Sequence, residues 1–343
     1  MRIGILTGGG DCPGLNPVIR AVVRKSLLEG WEVLGFLNGW KGMIENSFTF
    51  LDERAVSGIL PKGGTILGTS RTNPYKNPAD SDRVKETFKK NNLSALIAVG
   101  GEDTLGVASK LSKEGVNVVA VPKTIDNDLS CTDYTFGFDT AINIVTECID
   151  RLHSTAESHH RVMVVEIMGR HAGWIALESG LAGGADVILI PEVPMSIEEI
   201  CSIIMKRHAK GKNFSIVAVS EGFKLKELKE KDVTKHQQLD AFGHVQLGGI
   251  GEALSKLIEE KTGYETRATV LGHIQRGGSP SAFDRVLGTR FGIKAVELIK
   301  QKKFGEMVSL QGREILSVPI EKAVGVLKTV PKEYYELAKT FFS

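Results

Sequence analysis

The stretch Ala98-Val99-Gly100-Gly101-Glu102-Asp103-Thr104, followed after a helix-like interval by Val119-Ala120-Val121-Pro122-Lys123-Thr124-Ile125-Asp126-Asn127-Asp128, decides the fold. Each half is a short apolar strand running into glycines, acids and hydroxyls, and open α/β sheets carry their ligand sites at such strand ends. Two tips one crossover apart are expected to be neighbours. Glu102 and Asp103 offer adjacent carboxylates behind two residues without side chains, the composition that lets Mg²⁺ meet a polyphosphate through one or two carboxylates. Lys123 adds a cation. Asp126 and Asp128 are two apart, so in an extended segment they share one face and leave Asn127 on the other. One of them can take a proton from a substrate hydroxyl while the other orients it or holds the ion. Asp, Asn, Gly and Pro also favour plain turns; the repetition of charge at two adjacent tips argues for a site.

On the N-terminal side, residues 2–7 form an apolar, β-branched run. Gly8-Gly9-Gly10-Asp11-Cys12-Pro13-Gly14-Leu15-Asn16 follows, and then a helical pattern through Val18, Val22, Val23 and Leu27. Backbone N–H groups in such a loop, with the helix N-terminus, form an anion site without a basic side chain. The spacing is neither Gly-x-Gly-x-x-Gly nor that of a P-loop, so dinucleotide and nucleoside-triphosphate motifs lose their usual support. A second strand runs from Glu32 to Leu37. The loop Gly63-Gly64-Thr65-Ile66-Leu67-Gly68-Thr69-Ser70-Arg71-Thr72 then presents Arg71 after glycines and hydroxyls, a setting suited to a phosphate, although a lone loop arginine is more often solvated. A charged amphipathic helix over residues 79–91 leads to the strand Ala95–Val99. This alternation predicts a parallel sheet with right-handed crossovers.

After a helix reaching about Ser158, a fresh series begins with His160-Arg161-Val162-Met163-Val164-Val165-Glu166 and ends in Met168-Gly169-Arg170. Strands over Ala185–Ile190 and Phe214–Val219 follow, the second ending in Ser220-Glu221-Gly222. The strand Thr266–Leu271 ends in Gly272-His273-Ile274-Gln275-Arg276-Gly277-Gly278, where His273 and Arg276, with Arg267, make a phosphate candidate. Between them, Phe223–Gln246 interleaves both charge signs and reads as a solvated loop or helical excursion. A helix over Ala282–Lys300, an apolar run to Val318 and a terminal helix carrying Tyr334, Tyr335, Phe341 and Phe342 close the chain.

With 343 residues, 42% of them hydrophobic and 24% charged, the chain can bury one large or two medium cores, and two lobes are expected. A net charge of +2 points to no nucleic acid and no anionic membrane. Four scattered cysteines, with no Cys-x-x-Cys pair, argue against a disulfide framework and against structural zinc. The chain opens directly on a strand and has no apolar run of spanning length, which predicts a soluble cytoplasmic protein. Its 38 glycines, about 11% against a usual ~7%, sit mostly in the loops where backbone must approach something closely.

Taken together, six motifs in order resemble the phosphofructokinase family along nearly the whole chain: Gly8–Asn16, Gly100-Gly101-Glu102-Asp103-Thr104, Pro122–Asp128, Met168-Gly169-Arg170, Glu221-Gly222 and Leu271–Gly278. The resemblance implies an α/β fold of two Rossmann-like three-layer α/β/α lobes with mainly parallel sheets. One lobe, residues 1–138 plus about 275–325, would hold the phosphoryl donor and Mg²⁺, and the other, 139–274 plus about 326–343, the sugar phosphate. It implies phosphoryl transfer to the 1-hydroxyl of fructose 6-phosphate. By position, Asp126 matches the base, with Thr124 and Asp128 beside it and Arg170 acting on the transferred group. Thr124, Ile125, Met168, Gly169, Arg170, Glu221, His273, Ile274, Gln275 and Arg276 match sugar-phosphate contacts. Arg161 and Arg267 match arginines that reach a neighbouring subunit's site, so a homodimer or homotetramer with shared active sites is expected. Gly10, Arg71, Gly101 and Thr104 match the donor side, and Glu102 and Asp103 the metal-linked acids.

Two positions bear on the donor. ATP-using members typically carry glycine where this chain has Asp103 and Lys123, whereas pyrophosphate-using members carry Asp and Lys. Asp103 would place a carboxylate where the α-phosphate of ATP must sit, and Lys123 suits the charge of pyrophosphate. The expectation is a Mg²⁺-requiring, reversible transfer from pyrophosphate, with sedoheptulose 7-phosphate as an additional acceptor left open. An ATP-dependent enzyme tolerating both residues is the alternative within the class, and a sugar-phosphate-binding regulator without turnover is the alternative outside it.

Overall fold

A computed structural model describes residues 1–226, 236–239 and 245–342. The chain divides into two units. The first comprises Met1–Ile125, Leu129–Thr140 and Arg276–Leu327, and the second Asp126–Asp128, Ala141–Gln275 and Lys328–Ser343.

The first unit is built on a sheet of β1 (Arg2–Thr7), β2 (Glu32–Phe36), β3 (Phe48–Phe50), β4 (Ala95–Gly100), β5 (Val118–Pro122), β12 (Glu306–Gln311) and β13 (Glu314–Pro319). Its order is β13-β12-β5-β4-β1-β2-β3. Every residue of β4 and β5 is buried, as expected of central parallel strands written as continuous apolar runs. Pairing is parallel from β12 through β2, and the edge strands β3 and β13 join antiparallel. The apolar run to Val318 is therefore a hairpin that extends one edge of this sheet.

The helices α1 (Leu15–Leu28), α2 (Trp40–Glu45), α3 (Pro78–Lys90), α4 (Glu102–Lys113), α9 (Ala282–Lys300) and α10 (Ile320–Ala323) flank this sheet. Helix α3 starts where the sequence signals a start, with the Asn77 side chain accepting the Ala79 N–H and Pro78 at the first helical position. Helices α1 and α9 pack together so closely that a Cβ on Gly292 would lie 2.7 Å from the Val18 carbonyl oxygen.

The second unit holds a parallel sheet of β6 (Val162–Ile167), β7 (Val187–Leu189), β8 (Ser215–Ser220) and β11 (Thr266–Val270), in the order β11-β6-β8-β7. Its helices are α5 (Phe138–His159), whose first turn belongs to the first unit, with α6 (Trp174–Ala182), α7 (Ile197–Ala209), α8 (Ile250–Thr262) and α11 (Lys332–Lys339). Val162, Val164, Val217 and Val219 on the sheet pack with Ile200, Ile204, Ile250, Leu254 and Ile258 on α7 and α8. Helix α7 opens on a full capping box, Ser196 with Glu199. Of the terminal aromatics only Tyr335 is fully buried, donating its hydroxyl to the Ile188 carbonyl at 2.8 Å; Tyr334 is half-buried, and Phe341, beyond the end of α11, is exposed, so the expected packing holds only in part. Of the mixed-charge segment 223–246, residues 227–235 and 240–244 lie outside the described residues; β9 (His236–Leu239) and β10 (Val245–Gln246) pair antiparallel within it.

Candidate active site

In the first unit the carboxyl ends of β1, β4 and β5 lie side by side, because β4 pairs in parallel with both of the others. The chain leaves β1 toward β2 on one side and has β4 on its other side, so this is the point where strand order reverses and where such sheets bind ligands. The pairing continues past the strand ends: Gly8 N–H donates to the Val99 carbonyl at 2.9 Å and Lys123 N–H to the Gly100 carbonyl at 2.9 Å. The glycine loop, the Glu102-Asp103 pair and Lys123 are thus brought to one edge.

Thr104 fixes the spacing between the first two of these tips. A Cβ on Gly8 would lie 2.6 Å from its Oγ1, and one on Gly100 2.3 Å from its Cβ, so the threonine occupies the space that both glycines leave. Lys123 is buried and donates from Nζ to the Gly10 carbonyl. The loop bearing Arg71 docks on the same glycines, with Thr69 Oγ1 donating to the Gly9 carbonyl at 2.6 Å and Gly9 N–H to the Ser70 carbonyl at 3.2 Å. Arg71 itself is exposed. Asn16 ties the start of that loop, donating to the carbonyls of Lys62 and Gly63 and accepting Ile66 N–H. Cys12, beside these groups, is not a nucleophile: burial pushes its thiol up to about 12.

Gly101 caps α4, which places Glu102 and Asp103 in its first turn, where acids also suit the helix dipole. Glu102 is exposed and accepts the Gly325 N–H at 3.1 Å. Among the described residues no three His, Cys, Asp or Glu side chains gather as a metal cage. Two hard carboxylates without such a cage fit Mg²⁺, which keeps several waters and shares its remaining positions with substrate phosphates.

The second unit repeats the arrangement at β11, β6 and β8. Glu221 N–H donates to the Ile167 carbonyl at 2.7 Å and Leu271 N–H to the Glu166 carbonyl at 3.1 Å, aligning the Met168-Gly169-Arg170, Glu221 and Gly272–Gln275 tips. Arg170 sits at φ +52°, a left-handed conformation uncommon outside glycine and often found at functional sites. The Glu221 carboxylate holds that turn by accepting Gly169 N–H at 3.3 Å and Arg170 N–H at 3.1 Å. Gly222 is compelled, since a Cβ there would lie 1.8 Å from the Arg170 carbonyl oxygen.

Burial first, and then the negative charge of Asp126, push the Glu221 carboxyl up to about 7. A carboxyl raised on folding favours the folded state in its protonated form. That contribution is complete below the unfolded value of about 4.3 and is lost as pH rises through about 7, a cost of at most about 4 kcal/mol. Glu221→Gln, which keeps an acceptor for both N–H groups, is therefore expected to melt above the unmodified protein at pH 8 and close to it at pH 4. Parallel melting-temperature curves across that range would count against the raised carboxyl.

The remaining sequence candidates fall in several places. Asp126 is buried and within electrostatic reach of Glu221. Thr124 is buried, and its carbonyl accepts the Thr135 hydroxyl at 2.7 Å. The Ile125 side chain is wholly buried, which leaves its backbone as the part able to meet a ligand. Gln275 is also fully buried and spends its amide on the backbone, accepting Met168 N–H at 3.2 Å and donating to the Gly272 carbonyl at 3.2 Å. His273 and Ile274 are exposed on a 3-10 turn, Gly272–Arg276. Arg276, expected beside His273, belongs to the first unit and donates from Nη1 to the Asp11 carbonyl at 3.3 Å.

Arg161 and Arg267 lie at the amino ends of β6 and β11, the opposite edge of the sheet from Arg170, Glu221 and His273. Both pair with Glu265, at 2.7 and 2.6 Å. Sequence reasoning missed Lys328, which donates from Nζ to Asn127 Oδ1 at 2.9 Å. No local motif marks it; only its place 201 residues downstream in a return of the chain to the Asp126–Asp128 turn gives it that contact.

Two Rossmann-like sheets whose carboxyl ends carry these motifs define a phosphoryl-transfer class of sugar kinases, and the chain belongs to the phosphofructokinase family: the family's sequence model, described as Phosphofructokinase, matches residues 2–299. The pyrophosphate–fructose 6-phosphate 1-phosphotransferase of Amycolatopsis methanolica is 56% identical over 343 residues, covering all of both chains. The ATP-dependent 6-phosphofructokinase of Mycobacterium leprae is 51% identical over 345 residues, again covering all of both. In fold, the crystal structure of a pyrophosphate-dependent phosphofructokinase from Nitrosospira multiformis superposes with a TM-score of 0.84 at 22% identity, covering 100% of this chain and 91% of that one.

Proposed function

We propose that the protein transfers a phosphoryl group reversibly between pyrophosphate and the 1-hydroxyl of fructose 6-phosphate. The observation that carries the donor choice is Lys123, a buried ammonium at the tip of β5 that reaches the Gly10 carbonyl, one strand away from Asp103 on β4's exit. Full-length relatives of similar identity are named for either donor, so overall similarity does not decide between them. The chemistry at the two tips does: a fixed cation beside the glycine loop neutralises a compact inorganic donor, and an added carboxylate repels the α-phosphate of a nucleotide.

In this reading the first unit binds pyrophosphate through the Gly8–Gly10 loop, Gly101, Thr104, Arg71 and Lys123. Glu102 and Asp103 would hold Mg²⁺, which when bound neutralises phosphate charge and orients the donor. The second unit binds the sugar phosphate through Met168, Gly169, Arg170, Glu221 and His273. Asp126 accepts the proton of the attacking hydroxyl, Asp128 and Thr124 orient it, and Glu221, being near half-protonated at neutral pH, can donate to one sugar hydroxyl while accepting from the loop. Arg161 and Arg267, on the far edge of their own sheet, serve a neighbouring copy's sugar-phosphate site, which makes the working enzyme a homodimer or homotetramer. Such an enzyme acts in the cytoplasm; no helix among the described residues is long and apolar enough to cross a membrane.

The deciding test is a coupled assay with fructose 6-phosphate, Mg²⁺ and either donor. Turnover with pyrophosphate, at least ~100-fold above that with ATP, is expected. Turnover with ATP alone overturns the donor, and sugar-phosphate binding without turnover with either would make the protein a regulator.

A further inference from the structure

Asn127 stands in the left-handed region, at φ +51°, between Asp126 and Asp128. Asparagine tolerates that conformation but is not held in it by its own backbone preference. What clips the turn comes from the far end of the chain. The Lys328 backbone N–H donates to the Asp128 carbonyl at 2.9 Å, and Lys328 Nζ donates to Asn127 Oδ1 at 2.9 Å. Lys328 is itself fixed on both sides: its ammonium lies 5.4 Å from the centre of the Trp174 ring, and its carbonyl accepts the Trp174 Nε1–H at 2.9 Å. A cation seated on an indole face with its carbonyl bonded to the same indole has little freedom, so the contact to Asn127 is preorganised.

We propose that Lys328 is a positioning residue for the Asp126-Asn127-Asp128 turn, holding the left-handed Asn127 so that the Asp126 carboxylate stays aimed at the substrate hydroxyl. This deepens the proposed phosphoryl transfer and rests on it for the role of Asp126; the clip itself is a property of the turn. An angular error in a proton acceptor costs rate rather than binding. Lys328 acts through Asn127 and not on the substrate, so its loss separates kcat from KM.

The test compares Lys328→Met, which keeps the stem over Trp174 and removes the donor, with Lys328→Arg, which restores a donor. For Lys328→Met, kcat is expected to fall ~10-fold with the fructose 6-phosphate KM within twofold. Lys328→Arg is expected to recover most of the loss. Hydrogen exchange followed by mass spectrometry reads the clip without turnover: amides of residues 124–130 should exchange ~10-fold faster in Lys328→Met, while β6 and β8 stay protected. Unchanged exchange in that turn overturns the proposal whatever the kinetics, as does a Lys328→Met enzyme of unaltered kcat. Faster exchange throughout the second unit assigns Lys328 to general stability and also overturns it. If the unmodified protein turns over neither donor, the functional reading fails, and the exchange result still decides the clip.

Discussion

Replacing Asp126 by alanine is expected to lower turnover at least ~100-fold while sugar-phosphate affinity changes severalfold or less. The loss follows from the role: a positioned base supplies roughly 10² to 10⁴ in rate. The backbone passes through the left-handed region at Asn127, between Asp126 and Asp128, and Lys328 N–H holds the Asp128 carbonyl. Glu221 is near enough to feel the charge of Asp126, and one oxygen of its carboxylate, Oε1, accepts the Gly169 and Arg170 N–H groups. Binding survives because the residues proposed to grip the sugar phosphate, Arg170, Glu221 and His273, are set by the pairing of β6, β8 and β11 and not by Asp126. Steady-state kinetics beside calorimetric titration of fructose 6-phosphate make the comparison, and a kcat within tenfold of the unmodified enzyme would remove Asp126 from the chemistry. A linked effect is also expected. Asp126 is one of the causes that raise Glu221, so Asp126→Ala should bring the Glu221 titration down from about 7 toward the ordinary carboxylate range.

The sheets were legible because their central strands are written as unbroken apolar runs, and because each run stops at glycine beside a charge. Arg2–Thr7, Ala95–Gly100 and Val118–Pro122 could hardly be read otherwise, and their tips meet as one crossover per strand requires. Helix α6 was not visible: Trp174–Ala182 is apolar on most of its circumference, which hides its period. The hairpin β12–β13 was missed for a different reason: β12 follows α9 and pairs in parallel with β5, but β13 then returns antiparallel at the edge, which breaks the strand and helix alternation from which the sheet is read.

Within the site, single residues were legible where the chemistry is local and illegible where chain path decides. His273 and Arg276 share the 3-10 turn Gly272–Arg276, but the Asp11 carbonyl that Arg276 meets lies 265 residues away in the chain and nothing local announces it. From sequence, Arg267 groups with His273 and Arg276, and the resemblance assigns it with Arg161 to a neighbouring copy's site; the strands put both arginines at the amino edge with Glu265. Their sequence neighbours carry no sign of which edge a strand end will face until its direction in the sheet is known.

The double substitution Asp103→Gly with Lys123→Gly is expected to cost ~10² to 10³ in kcat/KM with pyrophosphate, the range for removing one well-placed charge-stabilising donor. Lys123 accounts for most of it. The residue is 3% exposed, and a charge held at a buried position acts on a donor phosphate far more strongly than a solvated lysine would. Part of the loss is structural: Lys123 Nζ bonds the Gly10 carbonyl, so the substitution also releases the glycine loop and leaves a small void behind it. Lys123→Met separates these contributions, because it fills the void and lacks the charge; a loss as large as that of the double variant assigns the effect to the ammonium. Asp103 works in the other direction. At about 4 Å and an effective dielectric near 20, two unit charges interact by roughly 4 kcal/mol, and a third of that is about tenfold in nucleotide affinity. Asp103→Gly alone should therefore relieve nucleotide exclusion with a smaller loss toward pyrophosphate, and the double variant should show more ATP turnover than the unmodified protein. Kinetics with both donors on the two single variants and the double variant decide the matter. Pyrophosphate turnover untouched by the loss of Lys123 would mean that the ammonium serves only to anchor the loop, and that the donor is chosen by residues elsewhere on the first unit's strand tips.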